Sequence, residues 1–128
     1  MRDRVILFRG KRSNNGEWVY GSPIFQDGYA LIRFWNSEEF EYEEYLVIPN
    51  TVGQYIGLKD KDGKKIFEDD ILEAAMSVGY VVYGEGCFCV QYEGQNKPAI
   101  DIVMSNADVF VIGNIYDNPE LLKDGDQK

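Results

Sequence analysis

The chain has 128 residues, 45% of them apolar, which suits one domain of ordinary size, or one domain with an appendage, with a core that needs no disulfide staples. Its 22 acidic residues outnumber 13 basic ones, giving a formal net charge of -9 that repels phosphate backbones and argues against direct nucleic-acid binding. There is no histidine, which removes histidine acid–base catalysis, the usual Ser-His and Cys-His nucleophiles, and histidine metal ligation.

Nine Tyr and seven Phe favour strands. Arg2, Asp3 and Arg4 precede an apolar run, Val5 to Phe8, too short for a signal-peptide core or a membrane span. A soluble cytoplasmic protein, with no membrane partner, is the expectation. Residues 4–9 (RVILFR) read as a buried strand. Ser13-Asn14-Asn15-Gly16 is a turn, and Glu17 to Tyr20 a short returning strand. Ile24 to Gln26 and Tyr29 to Trp35 predict a hairpin about Asp27-Gly28. From Glu38 to Ile48 the run starts by alternating. Phe40 and Tyr42 would face inward, and Glu39, Glu41 and Glu43 would form an acidic outer face. Pro49 breaks the run. The expected subdivision is therefore a β-rich segment over 1–49 and a second unit over 50–128.

In that second unit, Val52 to Leu58, Ile71 to Ala75, Tyr80 to Tyr83, Cys87 to Tyr92, Ile100 to Met104 and Val109 to Tyr116 read as strands. A bulge or bend is expected at Gly113. Asn118, Pro119 and Glu120 suit the cap and first turn of a short helix that Leu121 and Leu122 would dock. Asp124 to Lys128 should fray. The fold class is mainly β, a barrel or sandwich of short strands ending in a helical turn.

No complete catalytic or cofactor motif emerges. Cys87 and Cys89 fall on one face of a strand, cannot alone complete a closed zinc site, and read as reduced thiols in the packing. The turn at Asp60, Asp62 and Gly63 fails as a calcium loop, because anchoring on Gly63 puts Leu58 at the first ligand position. Glu68, Asp69 and Asp70 are the densest carboxylates off the acidic strand, and read as a solvated turn. Gly84-Glu85-Gly86 is a strand turn rather than a phosphate loop. Trp18, Tyr20, Tyr29, Trp35, Tyr42, Tyr45 and Tyr55 crowd the first half. They either fill the core, the commoner use, or expose a binding face.

The segment IPNTVGQYIGLKDKDGKKIFEDDIL, from Ile48 to Leu72, closely resembles the signature block of the YopX family of bacteriophage and prophage proteins. MRDRVILFRGK with NGEWVYG resembles the family's start, and VIGNIYDNPELL, from Val111 to Leu122, its closing motif. The family block usually has Glu at Asn50, Thr at Ile56 and Gly at Asp69; an Asp there suggests a backbone that does not require glycine. The resemblance implies a C-terminal SH3-like β-barrel after a hairpin-rich segment, and a phage or prophage gene, but no established activity. Gly53, Gln54, Tyr55, Gly57 and Asp70 match the central motif, and Gly113, Asn114, Ile115 and Tyr116 the closing one, in structural or binding roles. The resulting expectation is a noncatalytic binding or adaptor module with a protein partner and no cofactor. The alternatives are an acidic nucleic-acid mimic inhibiting a nucleic-acid enzyme, a carboxylate-only hydrolase, and a structural subunit or homo-oligomer.

Overall fold

A computed structural model describes residues 4–92, 94–105 and 108–122. The expected fraying of Asp124 to Lys128 lies outside the described residues. The protein is mainly β, in two compact units divided between Tyr55 and Ile56, later than the break expected at Pro49.

In the first unit, β1 (Phe8–Lys11), β2 (Trp18–Gln26), β3 (Tyr29–Asn36) and β4 (Glu41–Val47) lie side by side in reverse chain order, with the start of β5 (Gly53–Lys59) on the far side of β1. The β1–β2, β2–β3, β3–β4 and β1–β5 pairings are antiparallel. Asp27 and Gly28 take φ of 46° and 85°, the positive values that a two-residue hairpin turn needs. β2 is one continuous strand where two were expected. Trp18 to Gly21 pair with β1, and Ser22 to Gln26 pair with β3. Gly21 permits the change of partner: a Cβ there would stand 2.2 Å from the Arg33 carbonyl oxygen. An isolated Arg12–Val47 bridge and an Ile48 N–H to Lys11 carbonyl bond of 2.8 Å return β4 to β1. Ala30, Ile32 and Val47 form the buried core, with Phe8, Val19 and Val52 against it. The expected strand over 4–9 begins only at Phe8, and Val5 and Ile6 are exposed.

In the second unit, β7 (Asp70–Ala74), β8 (Ser77–Gly84), β9 (Cys87–Tyr92) and β10 (Gln95–Pro98) form an antiparallel meander. β11 (Phe110–Asn114) pairs with the free side of β7, and β6 (Lys65–Phe67) pairs with β5. The register shifts between Val111 and Gly113, where a bulge was expected. Residues 100–104, expected as a strand, instead belong to helix α1 (Ala99–Ser105). The run AIDIVMS satisfies both periods. Pro98 ends β10, and burying Ala99, Ile102 and Val103 on one helical face completes the core of Ile66, Leu72, Ala74, Val81, Val90 and Val109. A 3-10 turn, Pro119–Leu122, follows Asn118. Among the described residues no helix is long and apolar enough to cross a membrane; strands are a separate matter.

Candidate functional site

The signature residues fall into separate places. Gly53, Gln54 and Tyr55 open β5 in the first unit, where Gly53 is buried opposite Arg9 and the Tyr55 N–H donates to the Leu7 carbonyl at 2.8 Å. Gly57 takes φ 89° with open space about a would-be Cβ, so the requirement there is conformational rather than steric.

The structure brings Asp70 together with the closing motif, because β11 pairs Gly113 with Ile71 and Asn114 with Asp70. The Asp70 carboxylate is buried and accepts the Phe67 N–H at 2.8 Å. Asn114 Oδ1 accepts the Tyr116 and Asp117 N–H groups, both at 3.0 Å, and its own N–H donates to Asn118 Oδ1 at 3.2 Å. A Cβ on Gly113 would stand 2.5 Å from that same Asn118 oxygen. The motif thus folds a tight turn back on the strand end. Tyr116 completes it, donating its hydroxyl to the Asp69 carboxylate at 2.7 Å.

Asp69 corrects an expectation. Its φ is 71°, the left-handed region that glycine favours, so this backbone does need a permissive residue, and Asp is among the few others that tolerate it. Asp60 is the residue whose part was missed. Its buried carboxylate accepts the N–H groups of Asp62 and Lys64, both at 2.9 Å, and of Val111 at 3.0 Å. The signal was the Asp-x-Asp-Gly turn spacing, but the Val111 partner lies 51 residues away and no local pattern names it.

The acidic outer face is also corrected. Glu39 sits in the turn before β4, and Glu41, Glu43, Tyr45 and Val47 share the inward side of that strand. Two alternations compete in EEFEYEEYLV, and a strand of period two cannot bury both Tyr42 and Val47. Val47, fixed in the core opposite Ala30, sets the phase. Glu43 is tolerated inward because Asn36 Nδ2 and the Tyr45 hydroxyl, the latter at 3.0 Å, donate to its carboxylate. That hydrogen bond is the main reason the Tyr45 pKa is pushed up.

The outward side consequently carries the aromatics. Trp35 and Tyr42 are cross-strand partners, with ring centroids 5.0 Å apart and planes at 71°. They are 50% and 59% exposed, and Tyr29 and Leu46 are also exposed. Arg33 lies over Tyr42, its guanidinium carbon 4.2 Å from the ring centroid, and its Nε is 3.8 Å from Glu44. Beyond the pair, at the tip joining β3 to β4, Phe40 is 80% exposed at φ 53°. The Asn36 side chain holds that tip, accepting the Glu38 and Glu39 N–H groups at 3.0 and 3.2 Å.

Cys87 is exposed and Cys89 buried, on one face of β9 with sulfurs 3.4 Å apart. The hydrogen bond with Cys87, then burial, push the Cys89 thiol up. Among the described residues no group of three or more His, Cys, Asp or Glu side chains is arranged to hold a metal ion.

Two antiparallel sheets, with Asp70 meeting the Gly113–Tyr116 turn at a strand end, define a small mainly β protein. The profile of the YopX protein family matches residues 7–123, and the chain belongs to that family. The crystal structure of protein EF1440 from Enterococcus faecalis is similar, with a TM-score of 0.63 and 25% identity over 94% of this chain and 99% of that one. No curated protein is significantly similar.

Proposed function

We infer that the protein is a noncatalytic binding module of phage or prophage origin, working in a bacterial cytoplasm and gripping a protein partner with the outer face of β3 and β4. The observation that carries this is the exposed Trp35–Tyr42 pair with Phe40 beyond it. Antiparallel sheets with one solvated face ordinarily place polar side chains there. Exposed tryptophan and tyrosine are the residue types that anchor interfaces. Phe40 adds weight, since a bulky residue in the left-handed region is strained and here its ring buries almost nothing in return. The noncatalytic part is supported by the missing histidine and by the engagement of the buried Asp60 and Asp70 carboxylates with backbone N–H groups.

The test compares the wild type with Trp35→Ala/Tyr42→Ala in capture from the bacterial host. Circular dichroism should show the fold unchanged, because both rings are exposed. The expected result is one partner recovered repeatedly by the wild type and lost with the variant. Equal recovery by both proteins would remove the face from the function.

A further inference from the structure

We propose that the segment taken by this face is an arginine-bearing stretch of a basic partner protein, a reading that rests on the binding role inferred above. The molecule shows how its own rings receive guanidinium groups. Arg33 lies over Tyr42 at 4.2 Å and reaches Glu44 at 3.8 Å. Arg12 lies over Tyr45 at 3.9 Å and reaches Glu17 at 3.9 Å. In each case a ring face takes the flat cation and a carboxylate takes its edge, a combination that suits arginine better than lysine.

Beyond the Arg33–Tyr42 contact, the same outer face offers a second ring that no described cation covers. Trp35 presents an indole, the strongest ring for this contact, half exposed and with no cation over it among the described residues. Nearby in the chain, at the β3–β4 tip, stand Glu38 and Glu39, which are exposed and form no ion pair with a described residue. Residues 38–44, EEFEYEE, contain no basic residue. Charge complementarity therefore selects a cationic occupant, and the net charge of -9 steers one toward the molecule. The tip is pre-shaped: Asn36 bonds two backbone N–H groups and the Glu43 carboxylate, so little ordering is left for the moment of binding.

The experiment uses the full chain and fluorescence anisotropy of a labelled synthetic peptide of alternating arginine and glycine. A second peptide carries citrulline for arginine, which keeps the shape and removes the charge. A third probe is single-stranded oligothymidine, since an aromatic platform can also stack bases. The arginine peptide should bind at least about tenfold more tightly than the citrulline peptide. Trp35→Ala should weaken it about tenfold, whereas Tyr83→Ala, an exposed ring on β8, should leave it unchanged. Glu38→Gln/Glu39→Gln should weaken it several-fold and flatten its salt dependence.

Equal affinity for the citrulline peptide, indifference to Trp35→Ala, or preference for oligothymidine would each overturn the proposal. If the arginine peptide fails while Trp35-dependent capture of a host protein persists, the basic partner falls and the binding role stands. If both fail, both readings fall.

Discussion

Asp69 holds a backbone conformation that costs most L-residues roughly 1–2 kcal/mol. Both of its backbone groups are committed there: its N–H donates to the Val81 carbonyl at 2.9 Å, and its carbonyl accepts from Ile115 at 3.0 Å. The chain therefore cannot relax φ without losing a strand contact. Two effects of similar size oppose each other on replacement by glycine. The strain disappears, and the charge-assisted bond from Tyr116, about 1.5–3 kcal/mol for such bonds, disappears too. Asp69→Gly should thus lie within about 1 kcal/mol of the wild type in denaturant unfolding, whereas Asp69→Val, branched at Cβ, should lose about 3 kcal/mol. Tyr116→Phe should destabilise the wild type by about 2 kcal/mol and the Asp69→Gly protein far less. A Tyr116→Phe effect of equal size in both backgrounds would show that the hydroxyl acts through something other than Asp69.

At the scale of elements, the hairpin joining β7 to β8 is the odd one. Asp27-Gly28 and Glu85-Gly86 place a glycine in a two-residue turn of positive φ. Ala75 and Met76 adopt φ of 51° and 66° with no glycine, and Met76 is 99% exposed. Its side chain buries nothing that would offset the strain. Met76→Gly should raise stability by about 1 kcal/mol, read as a higher denaturation midpoint at unchanged m-value. Loss of stability would mean that the turn is held by contacts of the methionine.

Turns of this kind also mark what could be read from the chain beforehand. Asp27-Gly28 and the Gly84–Gly86 turn were legible because glycine announces positive φ locally, and β9 was legible from its bounded apolar run. Ala75-Met76 announces nothing. Helix α1 was misread because IDIVM is rich in β-branched residues, and only the packing against β9 and β10 decides its period. β4 was read in the wrong phase because its choice of face depends on Val47 meeting Ala30 across the sheet. The exposure of Trp35 follows from that phase, so the candidate face was hidden for the same reason. The closing motif could be recognised, but the Asn118 side chain tucked against Gly113 required coordinates.

For the whole molecule, the most general consequence of composition concerns pH. Stability changes with pH only where folded and unfolded chains bind different numbers of protons. With no histidine, the side chain that ordinarily titrates near neutrality is missing. Stability should therefore be level between about pH 6 and pH 7.5. On the alkaline side, three groups act with one sign. Cys89 is pushed up by its bond with Cys87 and by burial, Tyr45 by its bond to Glu43, and Lys61 by its contact with Asp108. A raised folded pKa means that the folded chain holds the proton more tightly. Each contribution is then fully present below the ordinary value of its group and is lost as pH rises through the raised one. Cys89 should act first, because a thiol titrates below a phenol or an amine. Melting temperature should accordingly hold a plateau through neutrality and fall above about pH 9. Replacing Cys89 with serine should remove the earliest part of that fall while leaving the plateau level. A melting temperature that climbs or drops steadily across the neutral range would contradict this, and would point to a carboxylate titrating far from its ordinary value.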